Sequence, residues 1–248
     1  MKHLNYLLFI IILLSSYGCS KTATQEDLSI LNSAMKPVEM VLQSEVNRLK
    51  EISKEPEVLK GNWDFIKAEL TKNSNDRIKS LYWYALPDGS YYTSKKDKVE
   101  ANLSNREYFP TLLNGENVVG YPIVGKTSGQ KSIVIAVPIL VDGKVVGMLA
   151  SSLYLEEFWD YIKIKVSVPA NYDFYAVNSA GITIYDLETK DHFLDKVLNQ
   201  PVPTLVEAIN VIIKSDKGEV SYEWKGKKKI AVYQKSQISD WRYVLSFY

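Results

Sequence analysis

Apolar side chains recur three and four residues apart at Leu28, Leu31, Met35, Val38, Leu42, Val46, Leu49 and Ile52. That spacing predicts one long amphipathic helix, whose apolar stripe is better used on the chain's own core than on a coiled-coil partner. Pro37 falls inside it. With no amide hydrogen and a ring that crowds the preceding turn, Pro37 is expected to kink or break the helix, leaving the continuous part from there to about Ser53. A second short helix is expected after Pro56, with Trp63, Ile66 and Leu70 on one side.

From residue 80 the period falls to two. SLYWYAL alternates, Pro87-Asp88-Gly89-Ser90 makes a turn, and SYYTS returns as the partner of a hairpin. Ser104 and Glu107 have the spacing of a capping box, which predicts a short helix over REYFPTLL, disturbed by Pro110 and ended by Asn114-Gly115. Three long strands follow in NVVGYPIV, SIVIAVPILV and KVVGMLASSLYL. The Asp142-Gly143 turn between the last two implies antiparallel pairing. LEEFWDYI is a helix leading out. Beyond Val168-Pro169-Ala170-Asn171, a poor helix or strand former, the scheme repeats on a smaller scale. DFYAV and ITIYD form a hairpin, helical stretches lie around 192–198 and 203–214, and GEVSYEW, KKIAVYQK and WRYVLSFY close a second sheet. The fold class is therefore α+β: a long N-terminal helix followed by two modules with antiparallel sheets, alike in architecture but without a visible sequence repeat.

The first residues follow neither period. Lys2 and His3 precede an unbroken apolar run from Tyr6 to Leu14, and Ser15, Ser16, Tyr17 and Gly18 lead to Cys19. A basic start, a short apolar run and small residues spell an export signal over residues 1–18. The run is too short for a helix that needs about 20 residues to cross ~30 Å of hydrocarbon. Gly18 directly before Cys19 resembles the lipobox of bacterial lipoproteins, although Ser16 and Tyr17 stand where that box usually carries Leu and a small residue. In such proteins the cysteine is lipidated and becomes the mature N-terminus, which implies an extracytoplasmic, lipid-anchored chain.

Charge and composition then remove whole classes of function. Thirty basic against 29 acidic side chains do not suit a binder of nucleic acid, and the lysines from Lys225 to Lys229 read as a solvated hairpin tip. One cysteine cannot form an internal disulfide, a CxxC pair or a Cys-rich zinc site. After cleavage the only histidine is His192, beside Asp191 and three residues before Asp195, the pattern of an exposed first turn of a helix. No HExxH, GxSxG, Walker or GxGxxG segment occurs. Neither an enzyme nor a cofactor or metal centre is expected. Seventeen tyrosines and five tryptophans suit a large aromatic core and surfaces that hold small organic ligands.

Several segments together resemble the double Cache domain, the extracytoplasmic, PAS-like sensor module of many chemoreceptors and histidine kinases. They are the N-terminal helix, LYWYAL-PDG-SYYT, NREYF, GYPIVGKTSGQKSIVIAVPILVDGKVVGMLA, YAVNSAGITIYD and the last strand opening at Trp241. The resemblance implies a helical region over 19–79, a membrane-distal module over 80–167 and a membrane-proximal module over 168–248. It also implies a ligand pocket in the distal module, between its sheet and a loop-and-helix lid. Members that bind amino acids are similar in an Arg-x-Trp-Tyr segment whose Arg takes the carboxylate and in an Asp that takes the ammonium. Here Arg106 matches the Arg, Tyr108 and Phe109 fall on the aromatic pair, Tyr121 and Tyr92 are further aromatic candidates, and Ser152 stands in place of the Asp.

A serine cannot neutralise an ammonium, so the resemblance with this departure implies a carboxylate ligand without an amine. Read without the resemblance, Arg106 lies in the first turn of its expected helix, where the dipole disfavours a cation. Either a bound anion offsets that, or Arg106 is exposed and paired with Glu107 or Asp97. The expected function is small-molecule sensing, with a membrane receptor or kinase as partner because no signalling segment lies in the sequence. The competing reading is an envelope adaptor with a vestigial pocket.

Replacement of the single thiol tests the anchor. Cys19→Ser is expected to release soluble protein, and fractionation of cells expressing the variant checks it: a variant that still sediments with membranes places the anchor elsewhere.

Overall fold

The computed structural model describes residues 22–72, 78–126 and 128–248, so the expected signal peptide over 1–18 and Cys19 lie outside the described residues. The first helix, α1 (Gln25–Ile52), opens with a capping box. Thr24 accepts from the Asp27 amide, and the Asp27 side chain takes the Thr24 amide in return. Asp27 is nevertheless buried, because its other oxygen accepts from the hydroxyl of Tyr172 at 2.6 Å.

The helix runs unbroken through Pro37, contrary to the expected kink or break. The carbonyl that the proline leaves without an amide belongs to Ser33, which is exposed, where water can serve it. The buried residues Leu31, Ala34, Met35, Val38 and Leu42 bracket the proline on the opposite side, and their packing outweighs one missing hydrogen bond. At 1.5 Å per residue α1 is about 42 Å long. The helix expected after Pro56 is two: α2 (Pro56–Leu59) and α3 (Trp63–Thr71). Gly61 turns left-handed between them (φ 74°), and Asn62 caps α3 by accepting from the Phe65 amide.

The first sheet contains β1 (Ser80–Ala85), β2 (Tyr91–Thr93), the short edge strand β3 (Lys98–Val99), β4 (Val118–Val124), β5 (Lys131–Val141) and β6 (Lys144–Tyr154). Its order is β3-β2-β1-β6-β5-β4 with antiparallel neighbours throughout. The helix expected from Arg106 onward begins only at Phe109, as α4 (Phe109–Leu113). Ser104 is no cap: its amide donates to Asn102 Oδ1 at 2.7 Å, closing a turn. Pro110 explains the late start, since its missing amide is harmless only in a helix's first turn.

After α5 (Leu155–Lys163) comes the second sheet: β7 (Tyr172–Val177), β8 (Thr183–Asp186), then α6 (Pro203–Ile212), β9 (Lys217–Trp224), β10 (Lys227–Lys235) and β11 (Arg242–Phe247). Its order is β8-β7-β11-β10-β9, again antiparallel. The helical stretch expected around 192–198 is instead a turn followed by one 3-10 turn at Val197–Asn199. There the backbone pairs with β8, Leu194 donating to Thr183 and Thr183 to Asp195, and Leu194 sits at φ 68°.

One apolar core runs the length of the molecule. The stripe of α1 packs with Tyr82, Tyr84, Ile133, Ile135 and Leu149 of the first sheet, with Phe158 of α5 and with Phe174, Tyr243 and Leu245 of the second. Each sheet has a second, smaller core on its outer face, under α4 in the first and under α6 in the second. The two halves meet at Trp241, which is fully buried and donates its indole N–H to the Gly120 carbonyl at 2.9 Å. Gly120 sits at a bulge in β4 with φ 75°. A Cβ there would lie 2.6 Å from the Trp241 ring.

Gly120→Ala is therefore expected to cost about 2–4 kcal/mol, combining left-handed strain with overpacking. Gly143→Ala is the control. Its φ is 75° too, but an added Cβ meets nothing within 4 Å, so only the strain of about 1–2 kcal/mol should appear. Urea unfolding of both variants measures the difference.

Candidate functional site

Alternation along β1 sends Tyr82 and Tyr84 inward to the α1 core and Leu81, Trp83 and Ala85 to the outer face. Ser152 of β6 lies opposite Leu81 on one side and Val134 on the other, so it shares that outer face. Over it fold the turn that carries Leu103, Arg106 and Tyr108 and the segment after β4 that carries Gly125, Lys126 and Ser128. Together they close a narrow cleft with about 30 Å³ of open space. Tyr91, from β2, completes its aromatic wall.

The polar groups of the cleft are few and unequally satisfied. Trp83 donates its indole N–H to Ser152 Oγ at 3.1 Å, which leaves the serine proton free to point elsewhere. Arg106 donates from Nη2 to the Val124 carbonyl at 3.2 Å, while its Nε is buried with no partner. Lys126 is held above by the Asn102 carbonyl and Asn105 Oδ1, at 3.0 and 2.7 Å. Among the described residues that line the cleft there are two cations and no carboxylate. Burial pushes the Tyr108 phenol well up, so it stays neutral. Tyr121 is pushed up to about 12, first by burial and then by the hydrogen bond its hydroxyl donates to Glu107 at 2.6 Å.

Of the residues singled out in the sequence, Arg106, Tyr108 and Ser152 come together in this cleft. Tyr121 stands behind Tyr108, ring centroids 5.2 Å apart. Phe109 is fully buried in the core beneath α4 and supports the wall without lining it. Tyr92 is not brought to the group: it lies on the opposite face of the sheet, against Trp63 at 5.3 Å and Tyr84 at 6.1 Å. Arg106 lies outside any helix, so the helix dipole gives no argument for an anion there, and it is paired with neither Glu107 nor Asp97. Trp83, Tyr91 and Lys126 were not singled out. Register places the first two, and Lys126 looks like any turn lysine until the loop folds back.

A family model described as Cache domain matches residues 20–247. Solved structures with the same fold include the ligand-binding domain of the Campylobacter jejuni chemoreceptor Tlp3 in complex with 4-methylisoleucine. It is 12% identical with TM-score 0.63, and the match covers 89% of this chain and 88% of that one. The periplasmic sensory domain of the Campylobacter jejuni chemoreceptor Tlp1 is 16% identical with TM-score 0.62, covering 88% and 92%. An extracellular ligand binding receptor from Desulfohalobium retbaense is 12% identical with TM-score 0.68, covering 92% of this chain and 41% of that one. At these identities the likeness concerns the fold. No curated protein matches the chain. Among the described residues, no helix is long and apolar enough to cross a membrane.

The Trp83–Ser152 bond can be probed without any ligand. Ser152→Ala strands a buried indole N–H and is expected to cost about 1–3 kcal/mol in denaturant unfolding, whereas Ser152→Thr, which keeps an acceptor, should recover much of it.

Proposed function

The chain belongs to the Cache domain family, and on that premise we propose that it is an extracytoplasmic sensor whose first-sheet cleft captures a small carboxylate lacking an amine. The observation that carries this is the buried Arg106 Nε without an acceptor. A donor stranded in that way costs about 1–3 kcal/mol, and a ligand carboxylate would satisfy it with a charged hydrogen bond of about 1.5–3 kcal/mol. Lys126 adds a second positive charge, and Ser152 a hydroxyl that can donate. An ammonium would meet two cations and no lining acid, which argues against a zwitterion. Trp83, Tyr91 and Tyr108 would exclude water and enclose a short carbon chain.

Lipidation at Cys19 would tether this sensor to the envelope, and a membrane receptor or kinase would carry the signal onward. The anchor rests on the single cysteine of the sequence, directly behind Gly18, and the partner on the likeness of the fold to sensory domains of chemoreceptors.

Calorimetric titration with propionate and lactate, against alanine as the aminated counterpart, tests the ligand class. Arg106→Ala is expected to weaken carboxylate binding at least tenfold and to leave the melting temperature of the empty protein little changed, since the substitution also removes an unsatisfied donor. Unimpaired binding by the variant, or a preference for alanine over propionate and lactate, overturns the assignment.

A further inference from the structure

The outer face of the second sheet carries a cleft of its own. It lies between the sheet, α6 and the turn that precedes the 3-10 segment, and its open space is about 70 Å³. Tyr175 of β7, Tyr222 and Trp224 of β9 and His192 of the turn form aromatic walls. Asp173, Thr183, Asp186 and Ser246 supply the polar floor. We propose that this cleft binds a small organic cation, with Asp186 as its counter-ion and Tyr175, Tyr222 and Trp224 as the surfaces it packs against.

The charges around the cleft decide the sign of the ligand. Among the described residues its one lining lysine, Lys229, is buried and is neutralised by an ion pair with Asp173. Lys229 is thus no part of the solvated tip that the lysine run suggested. Glu188 reaches Lys225 at 3.5 Å on the exposed rim. Asp186 is different. It takes the Glu188 amide at 2.9 Å, and among the described residues no lysine or arginine pairs with it. Its backbone is fixed by the Trp159 indole, which donates to the Asp186 carbonyl at 2.6 Å. Burial pushes its carboxyl up, opposed by the Glu188 and Thr189 amides and by His192 nearby.

An ammonium placed before Asp186 would supply a positive partner. It would also face aromatic rings, whose negative faces attract cations when water is excluded. Tyr175 and Tyr222 share a hydrogen bond between their hydroxyls at 3.2 Å, and burial raises both, so they stay neutral and present oxygen acceptors to a cation. A bare metal ion fits poorly: among the described residues no group of three or more His, Cys, Asp or Glu side chains could hold one. An anion would meet Asp186 and Glu188, and among the described residues that line the cleft no lysine or arginine is free to offset them. The inference stands apart from the carboxylate proposed for the first sheet, because the two clefts share no residue.

The experiment titrates the full mature chain with choline, ethanolamine and cadaverine, and with 3,3-dimethylbutan-1-ol, the uncharged isostere of choline. At least one of the three cations should bind saturably below about 10 mM, and the isostere at least tenfold more weakly than choline if choline is the binder. Asp186→Asn keeps the acceptor for the Glu188 amide and should weaken cation binding at least tenfold. Trp224→Leu should weaken it at least threefold and serves if the first variant folds poorly. Arg106→Ala should leave it unchanged, which separates this cleft from the other. Absence of saturable binding by all three cations overturns the proposal. So does equal binding of the isostere, indifference to both second-sheet substitutions, or loss of binding in Arg106→Ala.

Discussion

The apolar stripe of α1 is the constraint on which the molecule depends. Neither sheet has enough helix of its own to cover both faces, so each lays its inner face on the same 28-residue rod, and one core forms where two would otherwise be needed. The Asp27–Tyr172 bond pins the start of that rod to the second sheet, and Trp241 keyed against Gly120 pins the sheets to each other. The inner faces are committed in this way to the shared core. Each outer face carries a short helix, a loop and a cleft.

The two clefts differ in charge although their scaffolds match. Among the described residues, Arg106 and Lys126 face the first and no acid lines it, while in the second the one lysine is cancelled and Asp186 has no lysine or arginine partner. Strand order and alternation are shared. What differs is the loop chemistry laid over them, in keeping with sites being grafted onto folds and not dictated by them.

Elements with a strong period were legible in the sequence, and so was the α+β class. The stripe from Leu28 to Ile52, the alternation of SLYWYAL and the Asp142-Gly143 turn all appear as read. Errors arose where a local signal met tertiary packing. Pro37 is tolerated because its freed carbonyl belongs to exposed Ser33, and the Ser104–Glu107 spacing makes no cap because Pro110 delays the helix. The site was legible in its cation and its serine, Arg106 and Ser152, but not in its aromatics. Tyr91 and Tyr92 are chemically identical neighbours. Only the pairing of Tyr84 with Tyr92 and of Ala85 with Tyr91 sends the first of them to the cleft and the second to the helix side. Asp186 and Lys229 carried no signal in the chain, since burial and pairing are properties of the folded sheet.

The lock between Trp241 and Gly120 also sets an order of events at the ribosome. Its partners are 121 residues apart in the chain. At roughly 5–20 residues per second, the bulged strand emerges ~6–24 s before the indole that fills its seat. The first sheet can pair its strands in that interval, because all six precede residue 155. Its flank at Gly120 stays uncovered until the penultimate segment arrives. A chain delivered N-terminus first therefore presents all six strands of the first sheet before the aromatic side chain that fills the seat at Gly120.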